Sequence, residues 1–396
     1  MTEKIRTDFL GIEMPNPFML ASAPPSRNRE MIDRAFRAGW GGAVIKTLTQ
    51  YTGTEGCEVR NVSPRIHTVR GPGGIAGFTN IELTSQQTNE ESCDDIQKLK
   101  KSWPDRAVIA SILYGHSPIK ECWQRAAADC EAAGADALEL NFSCPHGCSE
   151  IGSGISIGEN PAQIKELIGW VKAASKLPVI VKLPSMSDIV LGASVSKQEG
   201  ADAICAINTI SSMPYIDIES AHPVFNVGGV GVAGGMSGRI IRPIALRSVM
   251  EIARSVSIPI SASGGVYGWR DAVEFILVGA STLQICSAVM EHGYGIINDL
   301  CCGLSGYMAR KNYKSVADFC GKALEHVAPH SALDRDNRFV PKWDSYNCLR
   351  CGKCVISCRD GGYQAITMQD RNILIDTQKC DGCGLCRGIC PEHCIN

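Results

Sequence analysis

Through most of the chain one pattern of apolar and polar positions repeats. A stretch with apolar residues at helical spacing ends in Ala-Gly or a similar pair, and a short apolar, often β-branched run follows. RAGWGGAVIKT (37–47), AAGADALELN (132–141), QEGADAICAIN (198–208) and LVGASTLQICS (277–287) are examples. Gly39, Gly134, Gly200 and Gly279 stand where a helix end calls for a left-handed residue. The runs after them are continuously apolar, as expected where both faces of a parallel sheet are buried. The pattern predicts strands over 18–21, 43–46, 107–111, 137–141, 179–182, 203–207, 259–263 and 282–286. Helical patterns cover 29–38, 93–102, 119–133, 161–175, 188–199, 243–255 and 269–278. Eight such units predict a closed (β/α)8 barrel of about 310 residues with insertions. An open doubly wound sheet, usually built from fewer strands, is the alternative.

Polar residues gather where these strands end. Ser22 follows the first, Lys46 ends the second, Asn141 the fourth and Lys182 the fifth. Asn208 and Thr209 follow the sixth, Gly264 and Gly265 the seventh, and Cys286 and Ser287 close the eighth. Barrel enzymes keep their chemistry at these C-terminal strand ends. One strand-end lysine could simply be solvated; a whole set in register points to a site.

Composition narrows the class. Of 396 residues, 44% are hydrophobic, enough for a sizeable core, and 39 basic against 41 acidic side chains give a net charge of −2. That balance suggests neither a nucleic-acid nor a membrane partner. The N-terminus lacks the apolar run of a signal peptide. The expectation is a soluble, cytoplasmic protein.

The 20 cysteines carry more: nine fall between Cys348 and Cys394 and the other 11 are scattered. A disulfide scaffold would be short and secreted. Here Cys348-x-x-Cys351-x-x-Cys354-x-x-x-Cys358 is followed by Cys380-x-x-Cys383-x-x-Cys386-x-x-x-Cys390-Pro391. The doubled spacing is that of two-cluster bacterial ferredoxins, in which the fourth cysteine of each run serves the other cluster. It predicts two [4Fe-4S] clusters, the first on Cys348, Cys351, Cys354 and Cys390, the second on Cys380, Cys383, Cys386 and Cys358. Structural zinc is the competing reading, disfavoured by the third cysteine of each triplet. Cys394 has no place in the scheme and reads as a small buried residue. The expected domains are a barrel over 1–328, a linker over 329–342 and a small α+β ferredoxin-like domain over 343–396.

Paired clusters carry electrons singly, so a barrel fused to them needs a partner chemistry that also transfers hydride; flavin provides it. Gly264–Gly265 and Cys286–Ser287 fall at the usual phosphate site of such barrels, favouring FMN. GVGVAG (229–234) matches a dinucleotide fingerprint but lies in a glycine-rich insertion with no clear strand before it, and reads as a loop. Asn141-Phe-Ser-Cys144-Pro-His146 directly follows the fourth strand, and GCSEIGSGISIGENP (147–161) reads as a mobile lid with Gly147, Gly152, Gly154 and Gly158 as hinges. Cys144 and Cys148 compete for a role there. Asn80, Asn141 and Asn208 would suit a planar ring bearing alternating N–H and C=O groups; singly, each reads as a turn asparagine.

ALELNFSCPHG, IASI, FTNIE, INTIS, SGRIIRPIALR, ASGG and LQICS, with the double cluster motif downstream, resemble the dihydropyrimidine dehydrogenases, in particular the FMN and iron–sulfur subunit of their bacterial NAD-dependent two-subunit form. The FMN barrel is shared with dihydroorotate dehydrogenases, the alternative flavoenzyme reading; a non-catalytic electron-transfer subunit is a third. The resemblance implies reduction of uracil and thymine to 5,6-dihydropyrimidines. It implies Cys144 as the acid at C5, with His146 beside it, and Asn80, Asn141, Asn208 and Thr209 as pyrimidine ligands. It places Ala21, Ser22, Lys46, Asn80, Lys182, Gly238, Gly264, Gly265, Cys286 and Ser287 around FMN. Electrons would come from NAD(P)H through an FAD-bearing partner subunit, or from a ferredoxin, in a homo- or hetero-oligomer. Lys182-Leu-Pro-Ser-Met and the insertion 214–235 depart from the usual family pattern.

Overall fold

A computed structural model describes residues 5–50, 59–114, 120–144 and 154–396. It divides into two compact units, Met1–His326 and Val327–Asn396.

The first unit is a closed parallel barrel of eight strands in chain order: β1 (Phe18–Leu20), β2 (Gly42–Leu48), β3 (Ala107–Ile112), β4 (Ala137–Asn141), β5 (Val179–Leu183), β6 (Ala203–Ala206), β7 (Ile260–Ser263) and β8 (Thr282–Ile285). β8 closes onto β1 through Leu283–Phe18, Gln284–Met19 and Ile285–Leu20. All eight predicted strands are present, within a residue or two at their ends. The helices between them are α1 (Arg29–Ala38), α2 (Asn89–Ser102), α3 (Lys120–Ala132), α4 (Pro161–Ala174), α5 (Ile189–Gln198), α6 (Arg242–Ser255) and α7 (Trp269–Leu277); α8 (Ser287–His292) and α9 (Ile296–Lys311) follow β8. The four helix-ending glycines adopt φ of +113°, +86°, +95° and +110° at Gly39, Gly134, Gly200 and Gly279, where a side chain would be strained. α2 starts four residues before the apolar periodicity does. Thr88 Oγ1 accepts from the Glu91 N–H at 3.2 Å and the Glu91 carboxylate accepts from the Thr88 N–H at 2.8 Å, a reciprocal cap that extends the helix backwards.

An N-terminal hairpin, Thr7–Phe9 with Ile12–Met14, packs Phe9 and Met14 against Met19, Val44, Ile109 and Ile180 and seals one end of the barrel. At the other end, insertions after β2 and β6 form a four-stranded antiparallel sheet ordered Ile210–Ser212, Gly234–Ser237, Gly74–Asn80, Ile66–Gly71. GVGVAG lies in this insertion: Asn226–Val227 pairs with Val230–Gly231 as a hairpin and the sheet strand from Gly234 follows, so the motif is not a strand-to-helix turn.

The second unit carries α10 (Lys353–Gly361), α11 (Leu385–Ile389) and a hairpin of Ile366–Gln369 with Asn372–Ile375 around a small core of Ile366, Ile373, Cys386 and Ile395. The stretch expected as a linker packs onto it. Arg338 donates to the Thr377 carbonyl at 2.6 Å, and Lys342 exchanges two 2.9 Å backbone hydrogen bonds with Asn396. Among the described residues no helix is long and apolar enough to cross a membrane.

Candidate active site

The C-terminal ends of the strands open into a cleft with an empty volume of about 1030 Å³, mouth included. Each strand end delivers its predicted residues there. Ala21 and Ser22 follow β1, Lys46 lies in β2, Asn141 ends β4 with Cys144 three residues on, and Lys182 lies in β5. Asn208 and Thr209 follow β6, Gly264 and Gly265 follow β7, and Cys286 and Ser287 follow β8; Asn80 and Gly238 come from the covering sheet and its exit. Of the predicted site residues only His146 is missing from this set; it lies outside the described residues, as does Cys148. Cys144 is buried against the cleft. Gly154 and Gly158, expected as hinges, serve close packing instead. A Cβ on either would collide with the carbonyl oxygen of Cys144 or of Phe142, respectively, and the Ile155 N–H bonds the Cys144 carbonyl at 3.0 Å. Gly147 and Gly152 lie outside the described residues.

The cleft floor is a continuous polar chain. Thr47 Oγ1 meets Ser22 Oγ at 3.0 Å, Ser111 Oγ at 2.9 Å and the Asn141 amide N–H at 3.1 Å. Ser143 Oγ donates to Asn141 Oδ1 at 2.9 Å and accepts from the Asn208 amide at 3.0 Å. The amides are therefore held in fixed orientations. One wall is bare backbone. Gly238, Gly264 and Gly265 have φ of +94°, +128° and +84°, and a Cβ on each would come within 2.7–2.8 Å of Gly77, Ala245 or Arg242. Beside them Ser287 Oγ donates to Ser237 Oγ at 3.0 Å. A side-chain-free backbone flanked by hydroxyls suits a phosphate.

In the second unit the two cysteine runs line two separate cavities. Cys348, Cys351, Cys354 and Cys390 border one; Cys380, Cys383, Cys386 and Cys358 border the other. Cys358 and Cys390 thus each face the cavity of the other run. Cys394 is buried, borders the first cavity, and its N–H bonds Cys390 Sγ at 3.2 Å.

Comparison with known proteins bears on both units. The dihydroorotate dehydrogenase family matches residues 4–308, and the 4Fe-4S dicluster domain matches residues 342–396. The chain belongs to the dihydroorotate dehydrogenase family. Its full length is 37% identical, over 405 residues, to the NAD-dependent dihydropyrimidine dehydrogenase subunit PreA of Escherichia coli (strain K12), covering 95% of that protein. It is 39% identical over 336 residues to the chloroplastic dihydropyrimidine dehydrogenase (NADP(+)) of Arabidopsis thaliana, covering 82% of this chain and 78% of the relative. The catalytic subunit of dihydroorotate dehydrogenase B (NAD(+)) from Pyrococcus abyssi is 35% identical over 324 residues, covering 81% of this chain and 99% of the relative. The protein is an oxidoreductase of the dihydropyrimidine dehydrogenase kind, a (β/α)8 barrel followed by a 4Fe-4S dicluster domain.

The structure adds residues to this dehydrogenase site that the sequence reading passed over. Glu139, inside β4 and fully buried, accepts from Lys182 Nζ at 3.3 Å and from Gln284 Nε2 at 2.6 Å, while Gln284 Oε1 accepts from Lys182 at 3.2 Å. Burial is the largest influence on Lys182 and works against its charge, but Glu139 together with Cys205 and Cys286 outweighs it and the ammonium is held above the ordinary lysine range. Glu82 is shared by three cations: Arg65 at 2.5 Å, Arg27 at 3.4 Å and Lys46 at 3.7 Å. Burial alone would push its carboxyl up; Lys46, Arg65 and Arg27 together hold it below the usual value. Lys46 itself is pulled down, because burial exceeds what its share of one carboxylate returns. Burial pushes the Cys286 thiol up to about 11 against the pull of Lys46 and Lys182. Alternation would have found one of the acids: Glu139 stands two residues before Asn141 on β4 and shares its face, whereas Glu82 lies beyond the strand that ends at Asn80. Nothing in the sequence singles out Arg65.

Proposed function

We propose that this chain is the catalytic subunit of a dihydropyrimidine dehydrogenase, reducing the C5=C6 bond of uracil and thymine reversibly, with FMN in the barrel cleft and two [4Fe-4S] clusters in the tail. The glycine wall, which a Cβ would fill, fits the FMN phosphate, and Ala21, Ser22, Lys46, Asn80, Lys182, Cys286 and Ser287 fit its remainder. FMN held by these residues would supply hydride chemistry toward C6 and one-electron chemistry toward iron–sulfur clusters. Asn80, Asn141, Asn208 and Thr209 offer the donors and acceptors that a pyrimidine edge requires. Charge developing toward the C4 carbonyl is met by amide N–H groups already oriented by Thr47 and Ser143. Cys144 Sγ holds the proton that reaches C5. Electrons come from an NAD(P)H- and FAD-binding partner subunit, or from a ferredoxin, in the cytoplasm. His146 completes the motif around Cys144.

The observation that carries this reading is the meeting of Cys144, the three asparagines and the glycine wall around one cleft. Its test is anaerobic reoxidation of the dithionite-reduced protein. Uracil and thymine are expected to restore the oxidised spectrum and orotate to leave it bleached; reoxidation by orotate alone would assign the chain to the dihydroorotate chemistry of its archaeal relative.

A further inference from the structure

The two cysteine-lined cavities of the tail differ in their charged and aromatic lining. The first is bordered by Trp343, Arg350, Lys353 and Glu392 as well as Cys394. Trp343 is pinned by a short antiparallel ladder to the C-terminal segment: it bridges Ile395, and the flanking Asp344 N–H bonds the Cys394 carbonyl at 2.8 Å. Its buried indole N–H finds no acceptor among the described residues. The Arg350 side chain is fixed beside the Cys348 loop, donating to the carbonyls of Cys348 at 3.2 Å and Arg371 at 3.1 Å. Two backbone N–H groups, of Arg350 and Cys394, reach the sulfurs of Cys348 and Cys390 at 3.4 and 3.2 Å.

The second cavity is bordered by Phe339, Pro341, Tyr363, Ile366 and Leu385, and its charged member is Asp381. Asp381 lies on the Cys380 loop and accepts from the Cys383 N–H at 3.0 Å. Among the described residues the backbone N–H of Ala365 reaches Cys358 Sγ there at 3.3 Å and that of Arg387 faces Cys386, whereas at the first cavity the N–H groups of Val355, Glu392 and Ile395 add to those of Arg350 and Cys394.

Reduction adds one negative charge to a cluster. Hydrogen-bond donors to its sulfurs and nearby cations stabilise that charge, whereas a carboxylate opposes it. Around the first cavity the charges are two cations and one anion; around the second, one anion. Both the donor count and the charge therefore favour electrons in the first.

We infer that the tail is thermodynamically polarised: the cluster on Cys348, Cys351, Cys354 and Cys390 is the higher-potential one, with the Trp343 N–H donating to one of its sulfurs, and the cluster on Cys380, Cys383, Cys386 and Cys358 is the lower. This rests on the two-cluster reading above. The last electron to enter and the first to leave belongs to the second cluster, while the first cluster acts as the electron reservoir. Trp343 and Asp381 are tuning residues and touch no substrate.

The test is an anaerobic potentiometric titration of the full chain, read by electron paramagnetic resonance, with iron counted beforehand. Two reduction steps are expected, with the first cluster at least tenfold more reduced when the second begins to fill, which is 59 mV for a one-electron couple. Trp343→Phe, which keeps a ring but removes the N–H, should lower the upper step and leave the lower one in place. Asp381→Asn, on the surface and still able to accept from Cys383, should raise the lower step alone. Unchanged potentials in both variants, or a shift of the lower step in Trp343→Phe, would overturn the assignment. An iron count of about four or fewer per chain would instead remove the two-cluster reading on which it stands.

Discussion

Glu139 gives the sharpest energetic prediction. Its carboxylate has no exposure and Lys182 is nearly as enclosed, with 3.3 Å between their charged atoms. At that distance and an effective dielectric of about 20, their attraction is about 5 kcal/mol. Glu139→Gln keeps the volume, so no cavity opens, but it leaves the Lys182 ammonium buried with neutral amide oxygens as acceptors and no countercharge. Breaking one side of a buried pair costs about 3–5 kcal/mol, in line with the Coulomb figure. Urea unfolding of the cofactor-free protein, followed by far-ultraviolet circular dichroism, should show that loss for Glu139→Gln. Replacing both members, Glu139→Gln with Lys182→Met, should recover most of it, because no unpaired charge remains. A single variant within about 1 kcal/mol of the parent, or a double variant as weak as the single, would refute the pairing argument.

Cys144→Ala should retain flavin and iron yet lose about 10²–10⁴ in turnover with uracil, the usual cost of removing a general acid; near-normal steady-state rates at saturating uracil would take Cys144 out of the mechanism. Cys358→Ala should remove the cluster of the Cys380 run rather than that of its own run, leaving about four irons per chain, and should abolish the lower of the two potentials. Because the folded carboxyl of Glu82 is held below its ordinary 4.5, its contribution to stability is complete above that pH and is lost as pH falls through the lower folded value. Glu82→Gln should accordingly flatten the acid side of the stability profile below about pH 4.5 while lowering stability at neutral pH; a parallel pair of curves would remove this role.

The barrel was legible because its strands are buried on both faces and its helices end in left-handed glycines, signals that are local in sequence. The grouping of the cysteines around two cavities was legible for the same reason: their spacing is a property of two short loops, and the placing of Cys358 and Cys390 at the cavity of the other run follows the motif. What escaped was assembled across the fold. Arg27, Arg65 and Lys46 reach Glu82 from three segments, and Gln284 meets Glu139 across 145 positions of chain. Gly154 and Gly158 looked like hinges because a glycine needed for close approach and one needed for motion read alike in one dimension. The start of α2 was misplaced because a cap, not an apolar stripe, sets it.

A flavin seated in the barrel cleft and fed by paired clusters is the centre of the proposed function. Iron, acid-labile sulfide and flavin determined on one sample of the chain, isolated without oxygen, test this most directly. About eight irons with matching sulfide and about one FMN per polypeptide are expected. Zinc in the cysteine sites, or a protein without flavin at full iron occupancy, would contradict it.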